Sequence, residues 1–172
     1  MSQDAFADIP VITYEGPDSR NALAFKHYDA EAVVEGRTMA EQLRFACAYW
    51  HTMRNPLDDP FGVGTAQTPW DDGTDSVENA LRRVDVFFEF LNKIGIQWYC
   101  FHDRDVAPEG VDIPSTNDNL QRVVEAMASH QQDSGRRLLW GTACLFSHSR
   151  YVHGAATSCQ VDVFAHAASQ VR

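Results

Sequence analysis

The chain contains little basic charge, and this scarcity narrows the range of its partners. Its 172 residues include 14 lysines and arginines against 24 aspartates and glutamates, for a formal net charge of −10. A protein that binds a phosphate backbone needs concentrated positive charge, which this composition does not supply. The only lysines are Lys26 and Lys93, and neither is placed to act as a catalytic base. We therefore expect no nucleic-acid partner.

Long apolar runs and nucleotide-binding motifs are also missing. No segment approaches the roughly 18 consecutive apolar residues of a membrane-spanning helix. Residues 1–4 lack the basic start and apolar core of a secretory signal peptide. No G-x-G-x-x-G motif or P-loop follows any candidate strand, which disfavours a nucleotide-binding sheet. We expect a cytoplasmic protein with no membrane contact.

Cysteines with the spacing of a metal or redox site are absent. The chain has four cysteines and no C-x-x-C pair: Cys47, Cys100, Cys144 and Cys159. Cys47 and Cys100 lie in apolar runs, which predicts buried free thiols rather than a disulfide framework. Cys144 with His148 and His153 is an alternative zinc set, but the spacing matches no compact motif and favours loop residues.

What is present indicates one globular domain, since hydrophobic residues make up 44% of the chain and aromatic residues 11%. Apolar pieces at 11–14 and 23–25 flank turn residues and predict a hairpin-like N-terminal extension over residues 1–37. Thr38 and Glu41 form a capping box that predicts a short helix. A strand is expected within 43–50, and proline and glycine predict a long loop over 55–73.

The remaining sequence alternates helices and strands. Asp75 and Gly95 are the expected limits of a first long helix, and Thr116 and Gly135 those of a second. Strands are predicted at 96–101 and 138–140, and a third helix begins near Val161. This rhythm is typical of a parallel sheet, and we expect a TIM (β/α)8 barrel. Residues 38–172 would form roughly its first three βα units, too few to close the barrel.

The segment 100–105 carries the strongest chemical signal. His102 ends a predicted buried strand, and Asp105 follows three residues later. The aspartate can hold one imidazole nitrogen and leave the other facing a substrate, as in a general acid/base pair. A loop histidine beside a capping aspartate is the equally weighted alternative. Asp103 and Arg104 are expected to form a local ion pair, whereas core packing is the default for Trp50, Trp140, Thr142 and Phe146.

Ordered motifs along the whole chain resemble those of xylose isomerases of the longer class. They are YEGPDS at 14–19, RFA at 44–46, YWHT at 49–52, DPFG at 59–62, FHDRD at 101–105, APEG at 107–110, LWGTA at 139–143 and HGAAT at 153–157. The resemblance corresponds to less than half of a full family member. Two positions depart from it, since Cys144 and Ser149 stand where the family usually has asparagine and proline.

The resemblance implies a TIM-barrel enzyme that interconverts D-xylose and D-xylulose, and D-glucose and D-fructose. His102 would assist opening of the sugar ring and Asp105 would orient it. Trp50, Phe61 and Thr142 would contact substrate, with Phe61 reaching a neighbouring subunit's site. The family uses two divalent cations (Mg²⁺, Mn²⁺ or Co²⁺) and forms tetramers, and the cation ligands lie on later strands absent from this chain.

Two hypotheses follow. The first is an aldose–ketose isomerase of which this chain is the amino-terminal portion, inactive by itself. The second is a non-catalytic half-barrel that folds by self-association or by pairing with the missing carboxy-terminal half. Endonucleases of similar barrel shape are disfavoured, because the chain has no basic stripe.

Overall fold

The computed structural model describes residues 4–172, which form a mixed α/β fold built on a parallel sheet. Two short strands pair first as an antiparallel hairpin, and three more form the sheet, in the order β3-β4-β5. The strands are β1 Val33–Val34, β2 Arg37–Thr38, β3 Ala46–Ala48, β4 Trp98–His102 and β5 Arg137–Thr142. A parallel sheet is as predicted, whereas its place in an eight-stranded barrel, as roughly the first three βα units, stays a prediction.

Helices follow each strand of the parallel sheet. They are α1 Met39–Gln42, α2 Tyr49–Met53, α3 Val77–Ile94, α4 Asp103–Val106, α5 Ile113–Ser134 and α6 Val161–Val171, with a short 3-10 helix at Ser149–Tyr151. The predicted strand within 43–50 is therefore confined to β3. Trp50 and His51 lie in α2, because the chain turns into a helix directly after the small residues of β3.

Helix ends follow local chemistry, with two shifts from the predicted starts. Ser76 rather than Asp75 caps α3, since its side chain accepts a hydrogen bond from the backbone N–H of Asn79. Helix α5 starts three residues before Thr116, where Asp112 and Ser115 cap each other reciprocally. Gly95 and Gly135 end the two helices as predicted, both at φ 70° in the left-handed region.

The N-terminal extension is not the predicted hairpin. Tyr14 and Phe25 form a parallel bridge, so the two apolar pieces run in the same direction. The true hairpin is β1–β2, whose turn residues Glu35 and Gly36 both have positive φ (51° and 79°). Such a turn matches the twist of paired strands. The domain boundary at residue 37 stays a prediction.

The core lies between the sheet and helices α3 and α5. Its centre contains fully buried aromatic and aliphatic side chains, including Tyr49, Phe87, Phe88, Leu91, Tyr99 and Val123. Burial raises the pKa of Tyr99 to about 12, because the interior disfavours its phenolate. Strand β5, in contrast, is exposed at all six residues and forms an open edge of the sheet. No helix in residues 4–172 is long and apolar enough to cross a membrane.

The cysteines are free, as predicted. Cys47, Cys100 and Cys144 are buried and Cys159 is exposed. Burial raises the pKa of the Cys47 thiol, and a hydrogen-bonding contact with Thr52 opposes that rise only in part. Buried thiols of this kind act as small apolar side chains rather than as nucleophiles.

Candidate functional site: a His–Asp pair at the end of strand β4

The carboxyl edge of the sheet brings His102 and Asp105 into direct contact. His102 ends β4 and Asp105 occupies the third position of α4, so its carboxylate reaches back over the first turn. Asp105 Oδ2 lies 2.7 Å from His102 Nδ1 and accepts a hydrogen bond from the His102 backbone N–H at 3.1 Å. This confirms the predicted contact, whereas the catalytic roles of both residues stay a prediction.

The geometry determines which imidazole nitrogen is available. An ionised Asp105 accepts a hydrogen bond from Nδ1–H, which leaves Nε2 as the nitrogen that can exchange a proton with a bound molecule. The side chains of His102 and Asp105 are 14% and 19% exposed, so the pair is shielded but reachable. Such an arrangement is able to donate and accept a proton at one fixed point.

Three aromatic side chains surround the imidazole of His102. Ring centroids lie at 4.4 Å for Trp50, 5.2 Å for Phe146 and 6.0 Å for Trp140. These residues come from α2, from the loop after β5 and from β5 itself. Trp140 and Phe146 are 42% and 67% exposed, so the default expectation that they are core residues is wrong. They form an open apolar wall beside the His–Asp pair.

The other two predicted substrate residues lie at different distances from this wall. Thr142 is the strand partner of His102 in the parallel register and is exposed at the same edge of the sheet. Phe61 is fully exposed on the loop between α2 and α3. No aromatic contact of Phe61 occurs within residues 4–172. The structure therefore groups Trp50 and Thr142 around His102 but not Phe61.

An ion pair joins the buried Arg83 of α3 to the partly buried Asp71 of the loop that precedes this helix. Arg83 is 2% exposed and its Nη1 lies 3.2 Å from Asp71 Oδ2. Burial of Asp71 acts to raise its pKa, but hydrogen bonds from Asn79, Gly73 and Arg83 outweigh it and lower the pKa below its usual value. The chain neighbour of Trp50, Tyr49, is fully buried. Sequence patterns missed this pair because Arg83 lies on the otherwise apolar face of α3.

The described residues do not fit a divalent cation. Within residues 4–172, no three histidine, cysteine, aspartate or glutamate side chains converge as a metal site requires. Asp105 is already engaged by His102, and Asp103 by an ion pair with Arg104 at 3.2 Å. Ser149, at a position that departs from the resemblance, begins the 3-10 helix. We assign no chemical step to a metal held by this chain.

No protein-family model matches the chain. The xylose isomerase of Rhodopirellula baltica is 52% identical over 168 residues, which cover 98% of this chain and 38% of that protein. Those of Thermotoga neapolitana and Arabidopsis thaliana are 51% and 50% identical, covering 97% and 98% of this chain. These two matches cover 38% of the Thermotoga neapolitana protein and 35% of the Arabidopsis thaliana protein.

The chain thus spans little more than a third of the length of the curated relatives it matches. The matches, at about 50% identity, cover 97–98% of its residues. Agreement of this extent establishes common ancestry, and it confirms the resemblance that the ordered motifs indicate. The chain belongs to the xylose isomerase family, of which it matches an amino-terminal portion.

Proposed function

We propose that this chain supplies the ring-opening part of an aldose–ketose isomerase that interconverts D-xylose and D-xylulose. The observation that carries the proposal is the 2.7 Å contact between His102 Nδ1 and Asp105 Oδ2 at the end of β4. Polar groups at the carboxyl ends of parallel strands are where such sheets place their chemistry. The relatives named xylose isomerase support the substrate class.

Opening of a pyranose breaks the bond between C1 and the ring oxygen O5. The O5 atom gains a proton and the C1 hydroxyl loses one, which leaves an aldehyde. A protonated His102 would donate the proton from Nε2 to O5, while Asp105 stabilises the imidazolium and fixes its orientation. A second group or water would accept the C1 hydroxyl proton. The flat faces of Trp50 and Trp140 would pack against the C–H face of the sugar.

The rest of the reaction requires a cation site, which residues 4–172 do not form. Transfer of a hydride between C1 and C2 needs polarisation of both oxygens, and the described residues form no cation site. We propose that the two divalent cations bind ligands supplied by the part of the family sequence that the chain does not match. The exposed edge of β5 is where those further strands would pair.

We also propose that the protein assembles with neighbouring subunits and works in the cytoplasm. Fully exposed Phe61, together with Val63 at 85% exposure, suits a contact with a neighbouring subunit in a tetramer. The acidic composition and the free cysteines suit the cytoplasm. The second candidate is a half-barrel without catalysis that associates with itself through the same β5 edge, and the exposure of that strand favours it equally.

The test measures ring opening directly. The chain is joined to the unmatched portion of the Rhodopirellula baltica enzyme, and exchange between the α and β anomers of D-xylose is followed by NMR. His102→Asn and Asp105→Asn should each slow the protein-catalysed exchange by about 100-fold, the size of a general acid contribution. Turnover alone is a weaker readout, because the hydride shift that follows can mask the ring-opening step.

A second His–Asp pair offers a matched control. His130 Nε2 lies 2.9 Å from Asp85 Oδ1 between helices α5 and α3, away from the carboxyl edge. His130→Asn should leave anomer exchange unchanged. Equal slowing by His130→Asn, or none by His102→Asn, would refute the proposed role. The chain alone should show no xylose isomerisation with Mg²⁺, and two-metal binding measured by calorimetry would contradict the division of ligands.

A further inference from the structure

A buried carboxylate next to the His–Asp pair has no part in the proposed proton transfer. Asp103 is 6% exposed, although it directly follows His102 at the carboxyl edge of the sheet. The sequence predicts only a local ion pair with Arg104, and that pair is present at 3.2 Å. Burial of a carboxylate costs free energy unless several hydrogen-bond donors compensate it, so a single ion pair does not account for this position.

Asp103 accepts hydrogen bonds from two further segments of the chain. Its Oδ1 accepts from the backbone N–H groups of Arg104 and Cys144, both at 2.7 Å. Its Oδ2 accepts from Gln170 Nε2 at 2.8 Å. Cys144 lies in the loop after β5 and Gln170 lies in α6. One side chain therefore joins the end of β4 to the loop and to the helix that follow β5.

Gln170 extends the connection. Its Nε2 also donates to the Cys144 carbonyl at 3.2 Å, and its Oε1 accepts from the Tyr151 hydroxyl at 2.6 Å. Both backbone groups of Cys144 are thus held, the N–H by Asp103 and the carbonyl by Gln170. These contacts fix the start of the loop beyond the last pairing of β4 with β5, which is His102 with Thr142.

The loop held in this way carries part of the aromatic wall. Phe146 follows Cys144 by two residues, and its ring packs edge-on against the His102 imidazole, with centroids 5.2 Å apart. Because Phe146 is 67% exposed, burial alone does not hold it there. We propose that Asp103 is a positioning residue that holds the loop of Phe146 against His102, and this inference rests on the proposed function of the pair.

An ionised carboxylate suits this task better than other side chains. All the partners of Asp103 are N–H donors, and a carboxylate offers two oxygens with lone pairs for all of them. An asparagine offers only one such oxygen. Its NH₂ group would replace the other oxygen and would face N–H donors instead of accepting from them. An alanine offers none and leaves the Cys144 N–H buried without an acceptor.

The experiment uses the full 172-residue chain and does not depend on turnover. Hydrogen exchange of the Cys144 amide and the NOE between His102 and Phe146 rings are measured by NMR in wild type, Asp103→Ala and Asp103→Asn. In Asp103→Ala the Cys144 amide should exchange about tenfold faster or more, and the NOE should disappear. Asp103→Asn should restore part of the protection, since its oxygen can still accept from Cys144.

Two references separate positioning from general destabilisation. Amides in the middle of α3, such as that of Val84, should keep their wild-type exchange in both variants. Asp85→Ala removes a carboxylate that contacts His130 between helices α3 and α5 and has no contact with the Asp103 network, so it should leave the Cys144 amide and the NOE unchanged. Equal loss of protection at Val84 and Cys144 would assign Asp103 a purely structural role and overturn the proposal.

Amide hydrogen exchange of the wild-type chain provides a test that does not depend on any variant. The Cys144 amide should be well protected although it lies in a loop, whereas the amide of Val63, in an 85% exposed loop position, should exchange freely. Similar rates for the two amides would refute the inference without reference to any mutant. A failure of the anomer-exchange test with this pattern intact would reject the sugar chemistry and leave the positioning contact standing.

Discussion

Removal of the Asp71 charge from the largely buried Asp71–Arg83 pair should destabilise the fold far more than removal of the equivalent charge from the exposed neighbouring pair. Arg83 is 2% exposed, and Asp71 Oδ2, 3.2 Å from Arg83 Nη1, is its counter-charge. Asp71→Asn keeps the Oδ1 oxygen that accepts from Asn79 and Gly73. It replaces the Oδ2 that Arg83 contacts with an uncharged NH₂ group, so Arg83 loses both its counter-charge and its acceptor. Removing one partner of a buried pair costs about 3–5 kcal/mol. Because the Asp71 side chain is 16% exposed, we expect a smaller loss of about 2–3 kcal/mol.

The assay is equilibrium unfolding in urea followed by circular dichroism. With a slope of about 2 kcal/mol per molar urea, the expected loss lowers the midpoint by roughly 1–1.5 M. The adjacent pair Asp72–Arg82 is the control, since its side chains are 48% and 41% exposed. Asp72→Asn should leave the urea midpoint nearly unchanged, because water already screens this exposed pair. The two substitutions change the same atoms in consecutive residues and differ mainly in burial of the pair.

A double variant tests the reason for the loss. Asp71→Asn combined with Arg83→Met removes the unpaired cation together with its partner. The double variant should therefore be no less stable than Asp71→Asn alone. Simple addition of the two single losses would show that the cost is packing rather than an uncompensated charge. Equal midpoints for Asp71→Asn and Asp72→Asn would refute the argument from burial altogether.

Three further predictions concern pH, packing and association. Burial first, and then the charge of Arg150, lower the pKa of His166 in the folded chain below its usual 6.5. The stability that His166 contributes is therefore complete above pH 6.5 and is lost as pH falls from 6.5 through the lowered pKa of the folded state. The wild-type urea midpoint should therefore drop more between pH 7.5 and 5.5 than that of His166→Gln, and equal drops would contradict this assignment. A Cβ at Gly110 would lie 2.8 Å from Ser115 Cβ, so Gly110→Ala should cost about 1–3 kcal/mol in thermal unfolding. Gly62→Ala, whose Cβ would meet nothing nearer than 3.7 Å, should be neutral, and matching losses would reject the clash. The open β5 edge and exposed Phe61 should make the chain associate at micromolar concentration in light scattering, and a stable monomer of 19.3 kDa would show that the edge protects itself.

Elements with local signals could be predicted from the order of amino acids alone. Helical spacing of apolar residues and the glycines at 95 and 135 predicted α3 and α5, because these helices end where only glycine adopts the left-handed conformation easily. The alternation of strands with long helices predicted the parallel sheet. The His102–Asp105 contact was also predictable, since three residues after a strand end bring a short carboxylate back over one helical turn.

Contacts between residues far apart in the chain, by contrast, could be seen only in the folded structure. Trp140 and Phe146 look like core residues in the sequence, but β5 lies at the open edge of the sheet, so both face the His102 ring instead. Asp103 reads as half of a local ion pair, whereas its partners Cys144 and Gln170 are 41 and 67 residues away. Local patterns report the propensities of neighbouring residues, while these contacts depend on the register of β4 with β5 and on the docking of α6, which are set by long-range packing.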